Sequence, residues 1–342
     1  MNYIFDISWP DTAEKPTAIL FSNGNIGGTG SGGGDSRVFR KIKWRQTDSE
    51  VIISGDIENC TTSLPPTKYK YTSVLKSNLQ KCVRRRLTEK ALSTAKVMMK
   101  TDFIHFIRRL LIIMIEDAVL HESIAGIMWM TAAYPTWQPT RKHMDWLLSI
   151  VSHISELRWR DDYICINYDF RNDLEAIENL PEPGRTILYS LCFRMSYGGM
   201  KGDMNMLVYH IRLWMRRFAA TAAIAAATAM AAATEDIPLI KMSQIKNIKI
   251  TELEPSAIDF HCWPGMLKQL AIKFPQFTSA EIKSAIWYYS SSINSKQPIR
   301  DHSVDPGCRD SNFTDIGGVY AEIWATTCAE VGRLTARYIR NI

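Results

Sequence analysis

The chain has 342 residues, 46% of them hydrophobic and 22% charged, which supplies enough apolar material for one large core or two modest domains and excludes a disordered polymer. A formal charge of +6 favours acidic partners, although an excess of this size also serves solubility. Seven scattered cysteines, Cys60, Cys82, Cys165, Cys192, Cys262, Cys308 and Cys328, form no C-x-x-C pair, so a zinc knuckle or dithiol redox site is not expected and a reducing, intracellular compartment is.

The opening Met1-Asn2-Tyr3-Ile4-Phe5-Asp6 lacks the basic flank and apolar run of a secretory leader, so Asn59-Cys60-Thr61 and Asn312-Phe313-Thr314 read as chance glycosylation patterns. Thr17–Phe21 predicts a strand, followed by a loop with seven glycines from Gly24 to Gly34. That loop lacks the G-x-x-x-x-G-K-[ST] order that brings a lysine and a hydroxyl to phosphate, and reads as a flexible connection. Val38-Phe39 and Val51-Ile52-Ile53 predict further strands. Residues 1–65 are therefore expected to form a small β-containing extension, bounded by Pro65-Pro66 because proline lacks a ladder donor and restricts the residue before it.

From Ser73 onward the apolar residues recur with helical spacing, over about 73–99, 102–133, 139–158, 170–179, 184–196, 202–233, 262–273, 278–293 and 316–340. The expected fold is mainly α, a multi-helix bundle-like body over 66–342 with a dividing region near 234–258. Thr101 or Asp102 is placed to cap one helix, and Ser279 another. The alanine-rich run from Phe218 to Ala233 is shorter than about 20 residues and only weakly apolar, so it predicts a close-packed internal helix and no membrane insertion. Eight of the ten tryptophans fall in this helical part, and most of these are expected as core or inter-helix contacts, with one or two exposed rings near the basic face able to stack on bases.

The most basic stretch begins at Lys68. Lys81, Arg84, Arg85 and Arg86 lie in a segment whose opposing charge is Glu89, and Arg108 and Arg109 follow beside the apolar face of Phe103, Phe106, Ile107, Leu110, Met114 and Ile115. Lys81/Arg85 and Arg86/Lys90 are four apart, so on a continuous helix their repulsion calls for an anionic partner or for carboxylates from another segment. These six cations are the candidate phosphate contacts, and nothing in them specifies a base sequence.

Two carboxylate–imidazole pairs are the candidate catalytic groups. Asp117 and His121 are four apart, so a continuous helix places them on one face with Glu116 alongside; the structural alternative is an ion-pair network in which Arg108 or Arg109 offsets the acidic pair. Asp259 and His261 precede Trp263-Pro264-Gly265, where a tight loop can orient the imidazole or simply cap the next helix. Neither pair identifies a reaction, and no cofactor or metal is assigned.

Ser77-Asn78-Leu79-Gln80-Lys81-Cys82-Val83-Arg84-Arg85, Phe106-Ile107-Arg108-Arg109-Leu110 and Ile115-Glu116-Asp117 resemble the S-x-L-Q-K-S-I-R-R and later R-R-L…E-D patterns in the C-terminal helical region of MgsA/RarA-type, clamp-loader-related ATPases. The resemblance covers residues 77–117 and implies oligomerisation and DNA-maintenance work. Cys82 replaces the usual small polar residue, and no Walker lysine motif precedes it, so ATP hydrolysis is not implied. The leading expectation is a non-sequence-specific nucleic-acid-binding accessory or assembly protein, contacting DNA or RNA. The alternatives are a nucleic-acid-processing hydrolase using the carboxylate/His groups, and a structural subunit of a homo-oligomer or larger particle.

Overall fold

A computed structural model describes 2–6, 17–21, 40–44, 49–55, 72–121, 123–134, 138–139, 141–163, 173–181, 184–227, 266–287 and 294–299, with short stretches between 248 and 257 and between 322 and 329. The protein is mainly α, a multi-helix body with a small β element, and it divides into two compact units. One unit gathers Met1–Ser63, Leu120–Trp146 and Tyr163–Leu239; the other gathers Leu64–Val119, Leu147–Asp162 and Ile240–Ile342.

In the first unit, β1 (Asn2–Asp6), β2 (Thr17–Phe21), β3 (Arg40–Trp44) and β4 (Ser49–Gly55) form an antiparallel sheet in the order β1-β2-β4-β3. Ile4 lies opposite Ile19, Leu20 opposite Ile53 and Ile42 opposite Val51, which sets β-branched and aliphatic residues in register. β2 and β4 coincide with the strands expected at Thr17–Phe21 and Val51–Ile53, whereas Val38-Phe39 lies outside the described residues and β3 begins at Arg40. The helices of this unit are α4 (Ile124–Ala133), α6 (Asp173–Glu178), α7 (Gly184–Ser196) and α8 (Lys201–Ala227), α5 (Arg141–Glu156) being divided between the two units.

α7 packs against α8, α4 and the sheet. Gly184 sets the closeness of the first contact: a Cβ there would lie 2.7 Å from Phe218 Cγ. Gly184→Ala is therefore expected to lower the unfolding free energy by about 1–3 kcal/mol through overpacking, read from urea denaturation; an unchanged midpoint would show that Phe218 swings aside freely.

The second unit is built on α1 (Thr72–Arg84), α2 (Thr88–Thr101) and α3 (Phe103–Asp117), each packed on the other two. Its core holds Leu75, Leu79, Met98, Phe106, Ile107 and Leu110. The whole predicted face of α3 is buried, and Leu111, Ile112 and Ile113 are buried as well, so this helix is enclosed on most sides. α9 (Met266–Lys273) and α10 (Ser279–Trp287) pack on each other, and β5 (Trp159–Asp161) pairs in parallel with β6 (Gln297–Ile299).

Two expected helices are each interrupted. The helix predicted over 73–99 stops after Arg84 because Arg86 takes the left-handed conformation, φ 59°. Leu87 N–H then donates to Cys82 O at 2.9 Å and Arg86 N–H to Val83 O at 3.1 Å, the paired bonds of a Schellman C-cap, with arginine where glycine is usual. The helix predicted over 102–133 stops at Asp117: Ala118 leaves the helical conformation, and its carbonyl accepts from Asp161 N–H of β5 at 3.0 Å.

Asp102 caps α3, its side chain accepting from His105 N–H. At α10 the cap is Thr278 rather than the expected Ser279. Thr278 Oγ1 accepts from Glu281 N–H at 3.2 Å while Glu281 Oε2 accepts from Thr278 N–H at 2.8 Å, a reciprocal capping box. Residues 228–233 of the alanine-rich run, and most of 316–340, lie outside the described residues. Among the described residues, no helix is long and apolar enough to cross a membrane.

Candidate functional site

The two segments that carry most of the basic and acidic candidates meet at the carboxyl ends of α1 and α3. Arg84 is one turn beyond Gln80 on α1, so both reach the same point on α3. Arg84 Nη2 lies 3.0 Å from Glu116 Oε1, and Arg84 Nε donates to Asp117 Oδ1. Gln80 Nε2 donates to Asp117 Oδ2 at 2.8 Å. Asp117 is wholly buried, and each of its carboxylate oxygens therefore has a donor.

The electrostatics follow from this geometry. Burial opposes the Arg84 charge, but the Asp117 and Glu116 carboxylates outweigh it and hold the guanidinium above its ordinary range. Burial and the adjacent Asp117 push Glu116 up, against the pull of Arg84, Arg109 and Lys81. The acids of α3 thus neutralise a cation of α1, not the neighbouring Arg108 or Arg109 alone.

This divides the six candidate phosphate contacts. Lys81 is buried and Arg84 is committed to Glu116 and Asp117. Arg85, Arg108 and Arg109 are half-buried, and Arg86 is exposed at the cap. Arg86 φ lies in the region where a side chain costs about 1–2 kcal/mol, so a cation is presented to solvent at a position that glycine would fill with less strain.

A further cation joins the cluster from far along the chain. Lys296 is buried, and its Nζ donates to Ile154 O, a last-turn carbonyl of α5, 142 residues away. An ammonium there complements the negative end of the helix. Burial pushes the lysine down to about 7, with Asp117 opposing the shift and Arg86 adding to it. No local pattern around Asn294-Ser295-Lys296-Gln297 marks this residue, since its partner is remote in sequence.

The four candidate catalytic residues do not form a described site. Because α3 ends at Asp117, the continuous helix that would align it with His121 is absent, and the two residues belong to different units. His121 Nδ1 accepts from Ser123 N–H at 3.1 Å and lies 2.8 Å from Ser123 Oγ, and burial lowers its pKa. Asp259 and His261 lie outside the described residues. Among the described residues no group of three or more His, Cys, Asp or Glu side chains is placed to hold a metal ion.

Two other buried titratable groups lie outside the candidate sites read from the sequence. His210 is wholly enclosed, 5.5 Å from the Tyr209 ring and 6.5 Å from Tyr163, and burial together with the Arg217 charge pushes it down to about 3. The Cys82 thiol is pushed up to about 12, chiefly by burial, which makes it a poor nucleophile at neutral pH. No protein-family model, curated protein or solved structure matches the chain.

Proposed function

We propose that the protein is a non-sequence-specific nucleic-acid-binding accessory or assembly protein, acting through the arginines that remain at the surface of the α1–α2 turn. The observation that carries this reading is Arg86, exposed and held in a left-handed cap where glycine is the less strained choice. A strained backbone position occupied by a solvent-facing cation points to a use for that cation. Arg85 adjoins it, while Arg108 and Arg109 supply further positive charge on α3. The resemblance of residues 77–117 to the helical region of clamp-loader-related ATPases supports a setting in DNA maintenance, within an assembly.

Arg86→Gly separates binding from folding, because glycine suits the cap and removes the charge. Fluorescence-anisotropy titrations of labelled DNA and RNA over a salt series are expected to show affinity falling as salt rises, with the slope for Arg86→Gly shallower by about 0.7–0.9. Its unfolding midpoint should equal or exceed that of the natural chain. Binding by a folded natural chain that is absent, or indifferent to salt, would remove the reading.

A further inference from the structure

We infer that Trp159 is a stacking platform for an unpaired base, so that the nucleic acid recognised is single-stranded. This rests on the nucleic-acid reading above and adds which form of the polymer is bound.

Trp159 is 51% exposed, in contrast to the buried Trp146. Among the described residues it is one of three exposed large apolar side chains, with Met200 and Ile272, and the aromatic one of the three. Its position matters more than its exposure. Trp159 lies opposite Gln297 in the β5–β6 pair, and Gln297 N–H donates to Arg158 O at 2.8 Å. Two residues earlier, Ser295 Oγ donates to Arg84 O at 3.5 Å, and Lys296 between them is anchored on α5. The segment Ser295–Gln297 therefore spans from the end of α1, where Arg85 and Arg86 follow, to the backbone of the strand that carries Trp159. Two residues of chain span at most about 7 Å, close enough for neighbouring nucleotides of one strand.

The charged residues of these segments differ in their commitments. Arg160 is held by Asp162 at 3.1 Å, whereas Arg158 and Arg86 are exposed. Glu156 is also exposed in this turn and opposes them in part. Exposed cations on the segments joined to the strand of an exposed indole match the recurring pattern of single-strand binding, in which phosphates are drawn to the cations and a base stacks on the ring. A duplex has no free base face to offer. It would meet only the cations.

The test compares the full chain with Trp159→Ala and Trp159→Phe, using labelled oligo(dT), oligo(rU) and a blunt DNA duplex of matched length. Trp159→Ala is expected to weaken single-strand binding on the order of tenfold and to leave duplex binding unchanged, while Trp159→Phe keeps most of the affinity. The oligo(dT) and oligo(rU) arms decide between DNA and RNA. A bromouracil-substituted strand is expected to crosslink on irradiation to the peptide bearing Trp159. Unchanged single-strand affinity of a folded Trp159→Ala chain, or crosslinks confined to other peptides, would overturn the stacking role while salt-sensitive binding still upheld the nucleic-acid reading. Loss of all oligonucleotide binding by the natural chain would remove both.

Discussion

Asp117→Ala is expected to lower the unfolding free energy by about 3–5 kcal/mol. The carboxylate is wholly buried and satisfies both Arg84 Nε and Gln80 Nε2. Its removal leaves a largely buried guanidinium with Glu116 as its remaining carboxylate contact among the described residues, and leaves the Gln80 amide without the Asp117 acceptor. Replacing both members of the pair, Arg84→Met with Asp117→Leu, is expected to recover much of the loss, because apolar isosteres need no desolvation. Urea denaturation of the single and double variants gives the coupling. A single-variant loss below about 1 kcal/mol, the range of an exposed pair, would contradict the assignment of Asp117 as an internal counter-ion.

The second large effect concerns Lys296 and pH. Its amine is pushed down to about 7 in the folded chain from an ordinary 10.5. Between those values the unfolded chain binds a proton that the folded chain does not, so the unfolding free energy rises with pH across this window. Below pH 7 the penalty for burying the ammonium is fully present. It is relieved as pH climbs towards 10.5. Among the described residues, the charges acting on the amine are Asp117, which favours its charge, and Arg86, which disfavours it, and the Ile154 carbonyl accepts from it.

Lys296→Met removes this proton linkage and one hydrogen bond, the latter costing about 1 kcal/mol. The variant is expected to be more stable than the natural chain by several kcal/mol below pH 7, at about 1.4 kcal/mol for each pH unit of displacement, and slightly less stable at the alkaline end. Denaturation curves over pH 6 to pH 10 measure the difference. Parallel stability profiles for the two chains would show that Lys296 is not displaced.

Much of the fold was readable because the signals are local. Thr17–Phe21 is a run of strand-forming residues and becomes β2; the periodic 184–196 becomes α7 with those same bounds. The interruptions were not readable. A helix stop is marked by glycine, and at the α1 cap an arginine stands in its place. The second stop is set by pairing of Ala118 with β5, 43 residues later in the numbering at Asp161. The capping box at Thr278 and Glu281 did carry a sequence signature, T-x-x-E, and was displaced by one residue to Ser279.

The candidate site divides along the same line. That carboxylates from another segment could neutralise the arginines was legible in the charge spacing, but which arginine and which acids was not, since Arg84 and Asp117 are 33 residues apart. Lys296 carried no local signal because burial and a carbonyl 142 residues away define it. Nothing in the sequence set Trp159 apart, and its exposure, against the buried Trp146, is a property of the folded chain.

On the function proposed above, Arg84 serves the fold and Arg86 a polyanion. The deciding measurement is the slope of log affinity against log salt for oligonucleotide binding, taken side by side on the natural chain and Arg86→Gly. Salt-sensitive binding is expected from both, with a slope reduced by about 0.7–0.9 in the variant and no loss of stability. Identical affinity and slope in a folded Arg86→Gly chain would rule this division of roles out.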